Sequence, residues 1–322
     1  MDEFSLISRY FRRSGSSAAL GIGDDCGIVS VSPGTQLAVT TDTLVSGVHF
    51  FENTDAELIG WKSLAVNVSD LAAMGAAPRY FTLALTLPSP SESFLEAFSR
   101  GMFALADQCG IEILGGDTTS GPLSITITAM GELPRGKGIL RSKAAAGDDI
   151  WVSGDLGGAA HAVGLIRRGL EPPADCLEKL HRPQPRVALG LLLTDTANSM
   201  LDVSDGLLAD LGHILEASGK GAQLELDAIP LTGSLGRLDR NEALLCALTG
   251  GDDYELCFSA PRKKREQVKK IADLAQTPVS RIGTITGEPG IEANLNGQSY
   301  RLPARRGYNH FEEAWSLRPG TQ

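Results

Sequence analysis

Aspartates stand in unusual company along this chain. Asp24 and Asp25 follow a glycine turn in LGIGDDCG, and Asp42 lies among threonine hydroxyls in TTDT. Asp70 falls in NVSDLAAMG, Asp117 in GGDTT, Asp202 and Asp205 in DVSDG, and Asp252 and Asp253 in GGDDYEL. Taken singly, each has an ordinary structural reading: Asp after Gly suits a turn, and Ser204 or Asp205 suits a helix N-cap. Asp70 resists that reading, because a carboxylate in the last turn of an apolar helix faces the negative end of the dipole and costs a few tenths of a kcal/mol, about 0.3. Adjacent carboxylates such as Asp24 and Asp25 also repel, so a positive charge is expected among them. Oxygen-only donors, Asp with Thr, suit a hard cation such as Mg²⁺. Several carboxylates from separate loops would hold more than one such ion and, through them, a polyphosphate.

Motifs that would bind a phosphate without metal fail. GELPRGKG at 131–138 has the spacing of a P-loop, but Gly138 stands where Ser or Thr is needed. LGIGDDCG opens like a dinucleotide fingerprint, yet Cys26 takes the third glycine position and acids crowd the turn. The five histidines form neither HExxH nor a close pair, and no GxSxG elbow is present.

Those acids need a scaffold, and the length of 322 residues predicts two domains. Apolar spacing predicts a helix over 3–13, strands at 27–31 and 36–42, and a long helix from an Asp55 N-cap to Gly75. A strand at 80–88, a helix from Ser91 to Cys109, and strands at 111–116 and 123–134 follow. This places Asp42 at a strand end and Asp117 directly after a strand. PRGKGILRSKAAAGDD reads as the boundary, giving domains at 1–138 and 147–322. Beyond it the pattern predicts a strand at 149–154, helices over 157–169 and 186–193, and a helix through DVSDGLLADLGHILEASG. Strands AQLELD and YELCFSA and a charged helix over 261–275 complete the reading. The expected class is α/β (α+β), a mixed-sheet N-terminal domain followed by an α/β C-terminal domain.

Composition narrows the partners. With 39 acids against 29 bases the net charge is −10, which argues against nucleic acid. Five cysteines without a CxxC, an acidic start, and no apolar run of ~18 residues are expected of a cytoplasmic protein that does not enter membranes.

The ordered set GIGDD, TTDTLVSGVHF, NVSDLAAMGA, GGDTT, LDVSDGL, GGDDYEL and GYNHF resembles the motifs of bacterial thiamine-monophosphate kinases. These enzymes belong to the aminoimidazole ribonucleotide synthetase-like ATP-binding superfamily, whose members use ATP without a P-loop. The resemblance runs from EFSLI to GYNHF. It implies phosphorylation of thiamine monophosphate by ATP to thiamine diphosphate, by direct in-line transfer assisted by several Mg²⁺ ions. It also implies a homodimer formed by the N-terminal domains. By motif, Asp25, Thr40, Thr41, Asp42, Asp70, Asp117, Asp202 and Asp205 are implied metal ligands. Gly116, Asp117, Arg141 and Ser204 are implied ATP contacts, and His49, Asp252 and Tyr308 implied substrate contacts. Some relatives carry Glu at the place of Asp252, one methylene longer. No general base is required, since the acceptor is already an anionic phosphate oxygen. The alternatives are another superfamily enzyme, similar to aminoimidazole ribonucleotide synthetase, or a non-catalytic Mg–nucleotide sensor. A metallophosphatase would mix His with Asp, and no suitable His cluster is present.

Overall fold

The computed structural model describes residues 3–13 and 17–308. They divide into two compact units: residues 3–13 and 17–71 with Ala76–Arg135, and Ala72–Gly75 with residues 136–308. The GYNHF motif is cut by this limit, since residues 309–311 lie outside the described chain.

In the first unit, α1 (Glu3–Tyr10) is shorter than the helix expected over 3–13, and Leu6, Tyr10 and Phe11 are buried. A four-stranded sheet is built from β1 (Thr35–Val45), β2 (Ala77–Leu87), β3 (Glu112–Ser120) and β4 (Ser124–Pro134). Its order is β1-β4-β2-β3, antiparallel except for the parallel β2–β3 pair. Strand alternation sends Ile125, Ile127 and Ala129 of β4 and Phe81, Leu83 and Leu85 of β2 into the core. Helices α2 (Ala56–Ala73) and α3 (Glu92–Cys109) add Leu64, Val68, Leu71, Phe98 and Met102 to the buried set. Asp55 caps α2 through the Glu57 N–H at 2.7 Å, as its sequence predicts. On the other face, Leu37 and Val39 of β1 are exposed, and Thr41–Thr128 and Thr43–Thr126 pair by hydroxyl hydrogen bonds of 2.9 Å.

The strand expected at 27–31 does not form. That stretch makes one isolated bridge, Leu20–Ile28, and Ile28 and Val31 remain exposed. Two other strands run longer than expected, so Asp42 lies inside β1 and Asp117 inside β3.

The second unit holds a seven-stranded sheet of order β11-β10-β7-β9-β5-β8-β6. Its strands are β5 (Asp148–Ser153), β6 (Ser199–Asp202), β7 (Gly221–Glu225), β8 (Leu256–Pro261), β9 (Val279–Thr286), β10 (Gly290–Leu295) and β11 (Gln298–Ser299). Around it stand α4 (Gly158–Arg167), α5 (Ala174–His181), α6 (Val187–Leu193), α7 (Leu207–Ser218), α8 (Arg240–Thr249) and α9 (Arg265–Leu274). Leu207, Leu208, Leu211 and Ile214 of α7 enter a core shared with Ile150, Val152, Leu224 and Ile282. The helices α5 and α8 and the strands β6, β9, β10 and β11 lie outside the elements the sequence predicts, although α5 sets Cys176 and Leu180 on one buried face at helical spacing. Strand β8 starts at Leu256, leaving Tyr254 and Glu255 in the preceding loop instead of in the expected strand.

Candidate functional site

In the first unit the glycine-rich loop and β3 wall a cavity of about 700 Å³. Gly23, Asp24, Asp25, Cys26, Gly116, Asp117 and Thr118 line it, with Ile7 and Phe11 supplying apolar wall. The sequence-predicted residues Asp25, Gly116 and Asp117 are therefore brought together. Glycine is required at position 116, because a Cβ there would sit 1.9 Å from the Leu83 carbonyl oxygen. The register shift between Phe81 and Thr82 lies just before this close approach of β3 to β2.

A second set forms where β1 meets α2. Alternation puts Thr40 and Asp42 on one face of β1, and Thr40 Oγ1 donates to Asp70 Oδ2 at 2.5 Å. The Asp42 carboxyl is pushed up to about 6 by burial and then by the Asp70 charge. Asn67, fully buried in α2, accepts the Asp42 N–H at 3.0 Å and donates to the Ser63 carbonyl, fixing that part of β1. Thr41 points to the opposite face, where its hydroxyl pairs with Thr128. His49 closes the end of β1: its Nδ1 accepts the Val45 N–H at 3.0 Å, which leaves Nε2 to carry the proton of the neutral ring. The buried Lys62 ammonium donates to the His49 carbonyl.

The acids of the second unit are arranged differently. Asp202 ends β6 and is buried. The N–H groups of Ser204, Asp205 and Gly206 all donate to Asp210 Oδ2, each at 3.0 Å. Three successive amides aimed at one point make an anion-binding nest, and here the anion is a side chain from the first turn of α7. Burial and the nearby Asp205 charge push Asp210 up to about 7, while the three amides pull the other way. Gly206, in a conformation of φ 121°, is the N-cap of α7, so neither Ser204 nor Asp205 caps the helix. At the far end of α7, Ser218 Oγ donates to the Arg141 carbonyl at 3.0 Å and accepts the Ala144 N–H at 3.1 Å. One rigid helix thus holds both the Arg141 turn and the Ser204–Gly206 loop.

Asp252 joins the same loop, its N–H donating to the Ser204 carbonyl at 2.9 Å. Tyr308 approaches from the C-terminal side, its N–H donating to the Asp205 carbonyl at 2.9 Å. The Tyr308 phenol is raised by burial and by the Asp252 charge. Tyr254 donates its hydroxyl to Asp252 Oδ1 at 3.1 Å. Ser204, Asp205, Asp252 and Tyr308 are therefore neighbours. Sequence reasoning missed Asn67, Asp210, Tyr254 and Glu255. A signal existed for Asp210, a carboxylate in the first turn of a strongly apolar helix; Asn67 showed only as one polar residue in an apolar stripe.

Among the described residues, no three His, Cys, Asp or Glu side chains are grouped as a ready-made metal cage. Mg²⁺ is commonly bound by one or two carboxylates together with water and substrate phosphates, so separate pairs suit it. The fit is favourable at β1–α2: Asp42 is held near another carboxylate, with a threonine hydroxyl beside them, in a setting that disfavours its own charge.

Comparisons with known proteins agree on both units. Residues 23–133 match the N-terminal domain of AIR synthase related proteins, and 145–296 the C-terminal domain. The thiamine-monophosphate kinase of Escherichia coli K12 is 44% identical over 319 residues, 96% of this chain and 98% of that one. That of Bacillus subtilis is 35% identical, covering 97% and 100%. The crystal structure of thiamine-monophosphate kinase from Stenotrophomonas maltophilia K279a is similar at 48% identity, with a TM-score of 0.83 over 92% of this chain and 96% of that one. A structure of AaThiL complexed with AMPPCP and TMP is similar at 29% identity, with a TM-score of 0.76 over 90% and 92%.

Proposed function

The chain belongs to the thiamine-monophosphate kinase family of AIR synthase related proteins, and from that premise we propose that it transfers the γ-phosphoryl group of ATP to thiamine monophosphate, giving ADP and thiamine diphosphate. The observation that carries this reading is a likeness that spans both units, 44% identity over 96% of this chain.

Asp25, Asp42, Asp70, Asp117, Asp202 and Asp205, with Thr40, would hold magnesium. When bound, the metal would offset the repulsion between two polyanions and spread the charge of the transferred group. The remaining work belongs to the chain's own residues. The cavity around Gly116 and Asp117 takes the nucleotide, with Ile7 and Phe11 supplying apolar surface. Arg141, whose turn is fastened by Ser218, and Ser204, whose backbone is fastened by Asp210, contact the nucleotide phosphates. Asp252, Tyr308 and His49 contact the acceptor. The Asp252 carboxylate complements the positive thiazolium ring. The acceptor oxygen is already anionic, so alignment of the reacting groups supplies most of the rate. Thr41 faces the open side of β1, so its hydroxyl stands apart from the Thr40–Asp42–Asp70 set.

In this reading, residues 1–138 form the nucleotide- and magnesium-binding domain, and 147–322 contribute phosphate and substrate contacts. The uncovered face of the four-stranded sheet, with Leu37 and Val39 exposed beside the threonine pairs, suits a second copy of the chain, giving a homodimer. Among the described residues no helix is long and apolar enough to cross a membrane. Use of ATP and free thiols, from the exposed Cys26 to the buried Cys176 and Cys257, suit the cytoplasm.

The test is ADP release from ATP and Mg²⁺ with thiamine monophosphate, free thiamine or an aminoimidazole precursor as second substrate. ADP and thiamine diphosphate should appear only with the monophosphate. Nucleotide binding with no turnover on any acceptor would replace the kinase by a sensor. Sedimentation at micromolar concentration reads the dimer directly.

A further inference from the structure

The segment 251–255 alternates between two environments. Asp252 and Tyr254 are partly exposed and have φ of 70° and 50°, the left-handed region that side chains other than glycine rarely adopt. Asp253 and Glu255, the residues between and after them, are almost fully buried at 2% and 1% exposure. Asp253 accepts the Gly157 N–H on both carboxylate oxygens at 3.0 Å. Glu255 is held more firmly. Arg186 donates to it in a fork, Nε to Oε2 at 2.7 Å and Nη2 to Oε1 at 2.5 Å. Lys179 Nζ reaches Oε1 at 2.9 Å, and Ser153 Oγ reaches Oε2 at 2.6 Å. Glycine at 154 makes room, since a Cβ there would lie 2.1 Å from Glu255 Oε1. Lys179 also pairs with Asp155 at 2.6 Å, so both cations are committed to this cluster.

Strained backbone persists only where its surroundings over-determine it, and it gathers where a side chain must be held in one stance. Here the surroundings are the two buried carboxylates. The Tyr254 N–H donates to the Val203 carbonyl at 2.8 Å and the Val203 N–H to the Glu255 carbonyl at 2.7 Å, so backbone pairing flanks the strained residue, while the amides of Ser204, Asp205 and Gly206 are held separately by Asp210. A salt bridge serving stability alone has no need of a strained partner, and burying one is often no better than apolar packing.

We propose that Arg186 and Lys179, on or beside helices remote from every motif of the sequence, are positioning residues for the acceptor. Through Glu255 they hold 251–255 in its left-handed course and so fix Asp252 and Tyr254. This inference rests on the reading of Asp252 as an acceptor contact.

The experiment measures steady-state kinetics with acceptor and ATP varied in turn, and hydrogen exchange of the Asp252 and Tyr254 amides, in Arg186→Met, Arg186→Lys and wild type. In Arg186→Met, KM for thiamine monophosphate should rise about tenfold, KM for ATP should stay within about twofold, and both amides should lose protection. Arg186→Lys, which keeps a cation but not the fork, should recover part of each change and provides the result if Arg186→Met fails to fold. Equal rises in both KM values, or unaltered amide protection in the folded variants, would overturn the proposal. If wild type does not use thiamine monophosphate, the functional reading fails, and the exchange measurement still decides whether Arg186 sets this loop.

Discussion

In the glycine-rich loop of the first unit, Asp24 and Asp25 are both exposed and both line the cavity, linked only by an Asp25 N–H to Asp24 Oδ1 bond of 3.0 Å. In the second unit the same three letters, Gly251-Asp252-Asp253, split their carboxylates: Asp252 stays near the surface and Asp253 is fully enclosed. What divides the two is backbone conformation. A positive φ at Asp252 lets neighbouring side chains part company, whereas in the first loop the positive φ falls on Gly23. The lesson extends to the other acids. Asp42 lies beside Asp70, and Asp24, Asp25 and Asp117 line one cavity, two separate acidic settings open to a cation. Asp210, Asp253 and Glu255 are instead answered from within the chain, by amides or by side chains, and serve as fasteners.

The comparison breaks most sharply if acids of the first kind prove dispensable. Asp42→Asn and Asp117→Asn should each lower kcat by about a thousandfold with the fold retained, as initial rates and circular dichroism would show. Asp42→Asn carries a signature of its own. The Asp42 carboxyl is raised in the folded chain to about 6, so its stability contribution is present below the ordinary carboxylate range and is lost as pH rises through 6. Without Mg²⁺ the amide avoids that loss, and the variant should be about 1–2 kcal/mol more stable than wild type at pH 8 in urea titrations. Next in size, Gly116→Ala should destabilise by about 3 kcal/mol, because the added carbon meets the Leu83 carbonyl and β3 must move off β2.

Acids of the second kind should respond through stability. Burial raises Asp253 well above the ordinary range, so ionising it opposes folding, and wild-type stability should decline as pH rises from about 4 upward. Asp253→Asn should flatten that slope, seen as a smaller change in Tm between pH 5 and pH 8; an unchanged slope would remove Asp253 from the fasteners. Smallest of all, Ser218→Ala removes two bonds at the edge of the Arg141 turn and should cost about 1 kcal/mol, with a few-fold rise in KM for ATP.

Much of the first unit was legible because its elements are long, 18 residues in α2 and α3 and 11 in β2 and β4, and they lie close to where the sequence predicts them. The stretch at 27–31 has the right residues for a strand, but strand-like sequence supplies no pairing partner, and Ile28 and Val31 stay exposed. In the second unit, β6 is four residues long and β11 two, too short for alternation to register. The acids were legible as a set because each breaks a local pattern. Their division into open acids and fasteners was not, since it depends on φ at Asp252 and on donors as distant in sequence as Arg186 and Gly157. TTDT illustrates the limit: it offers three hydroxyls around Asp42, and strand alternation turns those of Thr41 and Thr43 to the opposite side.

The nest filled by Asp210 has a kinetic corollary. A loop that must wait for a phosphate to satisfy its amides orders itself during association and slows it, whereas the Ser204–Gly206 loop already has a permanent guest. Its ordering entropy belongs to folding and not to ligand capture, so under the proposed function an incoming nucleotide would meet a loop that is already fixed.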